Sequence, residues 1–278
     1  MAGGVSLTLR DVVSLLDQRY PPHLAEDWDA VGLTCGDPDA SVRRVLFAVD
    51  PVPAVVDEAM VEQADLVVTH HPLFLRGVHS VAATDHKGRI VHELISHGIA
   101  LYSAHTNADN ARPGVSDALA DALGLVDCRP LDPRPGEPAT GTGRVGKLVR
   151  PMTLAAFGAE VAGALPATAH GIRVAGDGER VVRTVAVCGG AGDSLLDAAA
   201  AAADVYVTSD LRHHRVQDHV LGGGCALVDV AHFAGEWPWL PVAAAALAAD
   251  AAQLGSRLEV RVSTIVTDPW TSHRGSQP

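Results

Sequence analysis

Short, continuously apolar runs recur along this chain, and most of them lead into segments with helical spacing. A strand that is apolar on both faces is buried on both faces, which is typical of a parallel sheet covered by helices. Helical segments such as Ala54–Gln63 and Ser194–Ala203 alternate with these runs. The alternation predicts an α/β fold with largely parallel or mixed sheets, whose strands are Val45–Val49, Leu66–Thr69, Ile99–Ser103, Val181–Val187, Val205–Thr208 and Ala226–Val230.

One break in this pattern predicts two α/β lobes. The chain has 278 residues, which is long enough for two small domains. Leu131–Gly146 is rich in Pro and Gly and has no periodicity, so we predict a linker over residues 131–146. The predicted division is a first lobe formed by residues 1–130 and 226–270, a second lobe over 140–225 and a disordered tail over 271–278.

Two local signals add detail to this outline. Leu9–Gln18 has helical spacing, and Thr8 is a candidate N-cap because its hydroxyl can accept a hydrogen bond from the first turn. Farther along, Ile172–Ala175 and Val181–Val187 flank the sequence Gly176-Asp177-Gly178. That arrangement predicts a β-hairpin.

The composition limits the classes of function. Asp and Glu number 33 against 21 Lys and Arg, and the formal net charge of −12 argues against a nucleic-acid-binding protein. A nucleotide substrate stays compatible with this charge, because bound cations reverse the field locally. The four cysteines form no CxxC pair, which is typical of a reducing compartment. With no apparent signal peptide or membrane-spanning segment, we expect a cytoplasmic protein without a membrane partner.

His and carboxylate residues follow four of the apolar runs. The carboxyl ends of strands form the edge of an open α/β sheet at which ligands bind, so we expect a functional site in a cleft at this edge. The residues are His70 and His71 after LVVT, His105, Asn107 and Asp109 after IALYS, Asp210, His213 and His214 after VYVT, and His232 and Glu236 after CALVDV.

This mixture of side chains has the chemistry of a divalent-metal site. Imidazoles and carboxylates suit Zn, Fe, Mn or Co, and the chain lacks the thiolate cluster of a structural zinc site. A bridging carboxylate would hold two cations about 3.5–4 Å apart, a spacing used to activate water for hydrolysis. A histidine outside such a pattern more often has a surface or structural role, which is our interpretation of His86, His92, His97, His170 and His273.

Two further motifs leave alternatives open. VAVCGGAGDSLLDAA is typical of a strand, a Gly-rich turn and a helix, so it forms either a tight β–α turn or an anion-binding loop. Its glycines match neither GxGxxG nor a P-loop, which favours the turn. In EDWDAVGL, Asp27 and Asp29 are either contacts of the site or Asx-turn residues around a packed Trp28.

Taken in order, seven motifs resemble those of the NGG-interacting-factor-three-like family, whose members are also called GTP cyclohydrolase 1 type 2 homologues or dinuclear metal centre proteins. The resemblance runs from about residue 8 to Trp270 and is most specific in the THHP, HTNxD and HxxxE blocks. The motifs are EDWDAVGL, LVVTHHPLFLRG, AHTNADNARPGVSDALADALGL, GRVGKLVRPMTL, VCGGAGDSLL, VTSDLRHH and DVAHFAGEWPWLP.

The resemblance implies a set of metal ligands for this chain. By analogy, His70 and Asp109 hold one ion, His71 and His232 hold the other, and Glu236 bridges them. His105 and His214 match polar residues near that centre and are the predicted catalytic acid or base. The family commonly has Asn, Gly, Tyr and Gly where this chain has Ala30, Ser209, His213 and Ala231. None of these departures removes a ligand, but Ala30 and His213 are expected to alter substrate contacts.

The resemblance also implies a function and an assembly. It points to two divalent ions per chain, a toroidal hexamer and a hydrolase whose metal-bound hydroxide attacks a small nucleotide-like substrate, with C8 of GTP as the implied target. The alternative is a non-catalytic protein, either a metal-binding hexameric scaffold or a metal-delivery protein. Some family members carry a large insertion between their two halves, and the short middle segment predicts its absence here.

Overall fold

The computed structural model describes residues 6–275, which form two compact α/β units. The first unit contains the residues up to Ala111 together with Leu240–Thr267, and the second contains Arg112–Trp239 together with the residues from Asp268 on. The mixed α/β fold class is confirmed. The predicted lobe boundaries were wrong, because the segment over 226–239 packs with the second unit and the crossing from the first unit comes at 111, not 130.

Most strands are short, as expected of buried strands in an α/β protein. In chain order they are β1 (Leu7–Thr8), β2 (Gly32–Cys35), β3 (Ser41–Val42), β4 (Arg44–Ala48), β5 (Leu66–Thr69), β6 (Ala100–Ser103), β7 (Leu125–Arg134), β8 (Glu137–Thr153), β9 (Ile172–Ala175), β10 (Val181–Ala191), β11 (Val205–Ser209), β12 (Ala226–Val230) and β13 (Glu259–Val262).

The helices fall mainly between these strands, and two single 3-10 turns occur at Pro22–Leu24 and Asp193–Leu195. None of the helices within residues 6–275 is both long and apolar enough to cross a bilayer. The α-helices are α1 (Leu9–Arg19), α2 (Pro53–Val61), α3 (His86–Ser96), α4 (Thr106–Asn110), α5 (Val115–Ala122), α6 (Leu154–Ala164), α7 (Leu196–Ala202), α8 (His213–Leu221), α9 (His232–Glu236) and α10 (Trp239–Gln253).

The sheet of the first unit has the strand order β13-β4-β5-β6-β2. Its first four strands are parallel and β2 runs antiparallel to β6. The core on one side of the sheet joins Leu46, Val67 and Leu101 from the strands to Val56 of α2 and Ile90 of α3. These side chains are at most 2% exposed, which explains why the strands are continuously apolar.

Helix α1 begins where the sequence predicts. The Asp11 amide donates to the Thr8 hydroxyl at 3.2 Å, and the Thr8 amide donates to the Asp11 carboxylate at 2.8 Å. This reciprocal capping box satisfies two amide groups that the first turn leaves without helical partners. Val12 and Leu16 lie on the buried face of the helix and are fully enclosed, so the N-cap prediction is confirmed.

The sheet of the second unit has the order β7-β8-β10-β11-β12-β9. Strands β10, β11 and β12 are parallel, while β9 runs antiparallel to β12. The predicted hairpin of β9 with β10 was therefore wrong. The turn between those strands bonds to α6 instead: the Leu154 and Ala155 amides donate to the carbonyls of Arg180 and Gly178 at 2.8 and 3.0 Å.

The predicted linker over 131–146 was also wrong, because this segment belongs to the β7–β8 hairpin. Strand β7 lies at the edge of the sheet, where Pro130 and Pro133 are tolerated because an edge strand leaves one row of N–H groups unpaired. Gly141 has φ +135°, and a Cβ there would lie 2.2 Å from the Asp132 carbonyl oxygen. Pro and Gly therefore mark close strand pairing here. Of the predicted tail, residues 271–275 have neither helix nor strand, and 276–278 lie outside the described residues.

Candidate metal centre

The carboxyl edge of the first unit's sheet collects several polar side chains. Strands β4, β5 and β6 are parallel, so the residues that follow them meet at one edge. Asp50 follows β4, His70 and His71 follow β5, and His105 follows β6. Strand β2 is antiparallel to β6, so the loop before it, which carries Asp29, reaches the same edge. Parallel topology alone thus brings together residues that are far apart in the sequence.

Three imidazoles converge at this edge. One ring nitrogen from each of His70, His71 and His105 lies within 4.8 Å of the others. The ring centroid of His70 is 5.0 Å from that of His71 and 5.1 Å from that of His105. His70 is fully buried and His71 and His105 are partly buried. Three nitrogen donors at this spacing can hold one divalent ion.

The Nδ1 atom of each of these three rings is hydrogen-bonded to an oxygen acceptor. Nδ1–H of His70 donates to the Ala104 carbonyl at 2.9 Å, that of His71 to the Asp50 carboxylate at 2.7 Å, and that of His105 to the Asp29 carboxylate at 2.8 Å. Since Nδ1 carries the proton, the neutral ring keeps its lone pair on Nε2. Metal-binding histidines are usually oriented in this way, so the donor set fits a metal.

Asp109 adds a carboxylate to this group. One of its oxygens lies 3.8 Å from Nε2 of His70. Two donors bound to a common ion at ~2.1 Å, with tetrahedral or octahedral angles, are roughly 3.0–3.4 Å apart. The two atoms are therefore only slightly farther apart than two donors on one ion. Helix α4, which carries Asp109, is fixed by amide groups of Asn107 and Asn110, which donate to the carbonyls of Tyr20 and Leu24 at 2.7 and 2.9 Å.

The pKa of Asp29 is strongly shifted by its surroundings. Burial raises its pKa, but hydrogen bonds from the His105 ring and the Thr106 hydroxyl outweigh that effect and hold the pKa of Asp29 well below its usual range. The carboxylate also accepts from the Ala30 amide at 2.7 Å. Of the two interpretations left open for Asp29, its hydrogen bond with His105 favours contact with the candidate site.

The second unit carries another His–carboxylate pair, on α9. Nε2 of His232 lies 2.9 Å from Oε1 of Glu236, and its Nδ1–H donates to Asp210 at 2.7 Å. Glu236 is buried at 3% exposure. The negative charge of Glu236, with the hydrogen bond to Asp210, outweighs burial and raises the pKa of His232 to about 11. The proton thus supplies the positive charge that a divalent ion would supply when bound.

A bulge in β10 brings the backbone against this pair. Strands β10 and β11 are in register up to Val187 opposite Val207, and pairing resumes at Ala191 opposite Ser209. Three residues of β10 therefore face one residue of β11, which defines a β-bulge. Such bulges redirect the chain and are frequent beside functional sites.

Gly190 lies in this bulge with φ +69°. A Cβ at this position would lie 2.4 Å from Oε1 of Glu236 and 3.1 Å from Nε2 of His232. The Thr208 hydroxyl donates to the Gly190 carbonyl at 3.0 Å and fixes the bulge. The Gly-rich motif therefore has a role that the sequence did not reveal: it leaves room for the two α9 side chains.

Both units carry predicted site residues. His70, His71, Asp109 and the predicted catalytic His105 lie together in the first unit, and His232 and Glu236 lie together in the second. His214 is exposed on the first turn of α8, with its ring 5.1 Å from that of His213, and its predicted catalytic role stays a prediction.

Sequence reasoning missed the orienting carboxylate Asp50. The signal was present, since Asp50 follows the apolar run Val45–Val49 just as the other polar residues follow theirs. The hydroxyl of Thr267 also donates to this carboxylate. Asp50 was not predicted as part of the site because no histidine stands next to it in the sequence.

Comparison with known proteins places this chain in a family. The sequence matches the Duf34/NIF3 (NGG1p interacting factor 3) family over residues 7–269. A Streptomyces coelicolor protein named GTP cyclohydrolase 1 type 2 homolog is 55% identical over 273 residues, covering 97% of this chain and 96% of the relative.

A Mycobacterium bovis protein of the same name is 41% identical over 374 aligned residues, covering 96% of this chain and 97% of the relative. The alignment is longer than this chain, so that relative carries residues that this chain lacks.

Two solved structures share the fold over nearly their whole length. A Bacillus cereus protein described as related to NIF3 has a TM-score of 0.90 at 26% identity, covering 96% of this chain and 99% of that one. A Staphylococcus aureus hypothetical protein has a TM-score of 0.86 at 28% identity, covering 97% and 100%. By its sequence match and its fold, the chain belongs to the Duf34/NIF3 (NGG1p interacting factor 3) family.

Proposed function

We propose that this protein is a dinuclear metal-dependent hydrolase of a small nucleotide-like substrate. The observation that carries the proposal is the set of three converging imidazoles whose Nδ1 atoms are all fixed by oxygen acceptors. The name of the relatives, GTP cyclohydrolase 1 type 2 homolog, supports GTP as the first substrate to test.

The ligand assignment follows the resemblance stated from the sequence. His70 and Asp109 hold one ion, His71 and His232 hold the other, and Glu236 bridges. Two bound divalent ions would lower the pKa of a water molecule toward neutrality and polarise the substrate. The chain's own contribution is to hold these donors with the correct nitrogen facing the ion, through Asp50 for His71 and Asp210 for His232.

His105 is the proposed carrier of protons. Asp29 accepts from its Nδ1 and fixes the ring, so Nε2 is the atom that takes a proton from water and returns it to the leaving group. A carboxylate that holds a histidine in one tautomer is a recurrent arrangement in hydrolases. His214 is proposed as a second acid or base, acting from α8.

Release of formate tests this function directly. If GTP is the substrate, its guanine C8 carbon leaves as formate after ring opening, and metal-loaded wild type should release it. We expect chelated protein and a His70→Ala/His71→Ala variant to release none. A His92→Ala/His97→Ala variant, which removes two exposed histidines of the same unit, should match the wild type.

A His105→Ala variant separates proton transfer from metal binding. We expect formate release to fall by at least ~100-fold, the usual contribution of a general acid or base, while metal content is kept. Loss of metal in this variant would make His105 a ligand instead. If metal-loaded wild type hydrolyses neither GTP nor a panel of nucleotides and small esters, the enzyme proposal fails and the metal-binding scaffold or delivery protein replaces it.

The assembly is part of the same proposal. We propose a homohexamer without nucleic-acid or membrane partners, acting in the cytoplasm. Sedimentation velocity should give about six times the 28.8 kDa chain mass. A monomer or dimer at micromolar concentration would contradict this part, and tight binding to duplex DNA at physiological salt would contradict the exclusion of nucleic acid.

A further inference from the structure

Trp28 is a large aromatic side chain that is 60% exposed. It lies in the loop between the turn Pro22–Leu24 and strand β2. One of the two interpretations left open from the sequence had Trp28 packed inside an Asx turn, and its exposure argues against that interpretation. Tryptophan offers the largest apolar surface of any side chain, so its placement in solvent beside a polar site has to be explained.

The loop that carries Trp28 is held on both sides. Before it, the Glu26 amide donates to the Thr106 hydroxyl at 2.9 Å, and the Asn110 amide group donates to the Glu26 carboxylate at 3.1 Å. After it, Asp29 accepts from the Thr106 amide at 3.0 Å. The backbone around Trp28 is therefore tied to α4 and its N-terminal turn.

This loop places the indole ring beside the histidine cluster. The centroid of the Trp28 ring lies 5.9 Å from that of His105, with an interplanar angle of 79°. His105 in turn lies 5.1 and 5.4 Å from His70 and His71. An exposed aromatic ring on a hydrogen-bonded loop thus borders the proposed metal ligands and proton carrier of the first unit.

We propose that Trp28 is a stacking surface for a planar heteroaromatic ring, such as a nucleobase, in the substrate. The inference rests on the proposed function and narrows its substrate class. Stacking of a base on an aromatic side chain needs an exposed ring in a fixed position, and it tolerates different bases because each has a π face. Trp28 would therefore select for an aromatic ring without selecting among bases.

Affinity for two probes tests this role, independently of turnover. The probes are GTP and inorganic triphosphate, which carries the phosphate charges without a ring. Binding to metal-loaded protein is measured by calorimetry for wild type, Trp28→Ala, Trp28→Phe and Trp270→Ala. Trp270 is 67% exposed, so its variant controls for loss of a surface tryptophan.

We expect Trp28→Ala to weaken GTP binding by roughly 5- to 150-fold, the effect of losing one stacked base. Triphosphate binding, metal content and oligomeric mass should not change. Trp28→Phe should restore most of the GTP affinity, and Trp270→Ala should match the wild type. ATP should show the same pattern as GTP.

Three results would overturn the inference. The Trp28→Ala variant could bind GTP as tightly as the wild type does, or it could lose affinity for triphosphate and GTP equally. The third result is that the wild-type protein binds no nucleotide more tightly than triphosphate. A different result would contradict the proposed function, namely that metal-loaded wild type hydrolyses none of the substrates. The binding measurements do not depend on hydrolysis, so the two failures are distinguishable.

Discussion

The two units present His–carboxylate groups of the same chemistry on different supports. In the first unit, His70, His71 and His105 follow parallel strands, and the sheet edge alone brings them together. In the second, His232 and Glu236 lie on the five-residue helix α9, against a bulged strand. In both, an oxygen acceptor holds Nδ1 of each histidine.

The difference shows two ways of fixing a ligand. At a sheet edge, the hydrogen bonds between the strands already fix the backbone. Each histidine therefore needs only one oxygen acceptor to orient its ring. A short helix has few internal hydrogen bonds, so its side chains depend on what packs against them. For α9 that neighbour is the backbone at Gly190, and we expect the second unit's ligands to be the more sensitive to changes in the backbone that packs against them.

The largest effect is expected from Gly190→Ala. The new Cβ would lie 2.4 Å from the Glu236 carboxylate and displace both α9 ligands. We expect the apparent affinity for Zn²⁺ to fall by more than ~100-fold, beyond the effect of losing an orienting partner. Competition with a chromophoric chelator measures this affinity.

Gly171→Ala is the matched control for that variant. Gly171 has φ +64°, close to the +69° of Gly190, but a Cβ there meets nothing within 4 Å. Both variants should lose ~1–2 kcal/mol of unfolding free energy from the left-handed backbone, and only Gly190→Ala should lose Zn²⁺ affinity. Equal metal affinities would show that the bulge does not control the position of the two α9 ligands.

An intermediate effect is expected from the orienting carboxylates. Asp50→Ala and Asp210→Ala remove the acceptors of His71 and His232, and loss of such a partner usually lowers metal affinity by 10- to 100-fold. The Asp50 side chain is 27% exposed and that of Asp210 is 59% exposed, so water replaces Asp210 more readily. We expect Asp50→Ala to have the larger effect in the same chelator competition. The reverse order would mean that burial of the acceptor does not decide its importance.

The smallest effect is expected from Thr8→Ala, which removes the N-cap of α1 in the first unit. Loss of a threonine cap lowers the free energy of unfolding by ~1 kcal/mol. Urea unfolding should show this loss, while Zn²⁺ affinity stays at the wild-type value. A fall in Zn²⁺ affinity in this variant would show that metal binding depends on the overall stability of the protein and not on the local support of each ligand.

The sequence was sufficient for the parts of the fold that rest on local pattern. Strands such as β5 and β12 and the cap of α1 were predicted within a residue, because continuous apolar runs and a capping box are local signals. The β7–β8 hairpin was not predicted, since an exposed edge strand can contain Pro and Gly and needs no apolar period.

The candidate site, like the fold, was predicted from the sequence only in part. Histidines and carboxylates after strands were visible, but Asp50 and Gly190 were not recognised as parts of the site. Their roles depend on which strands are neighbours and on one register shift, and both are properties of the sheet as a whole. The exposure of Trp28 likewise depends on contacts from α4 that lie 80 residues away in the chain.

The ligands of both units should bind metal, and the number of metal ions per chain tests this expectation most directly. Purified protein is loaded with Zn²⁺, dialysed and analysed for metal per chain, beside His70→Ala/His71→Ala and His232→Ala/Glu236→Ala variants and the His92→Ala/His97→Ala control. Circular dichroism confirms that each variant is folded. We predict about two ions per chain in wild type and control, and a loss of bound metal in both ligand variants. Equal metal content in all four proteins would contradict the account.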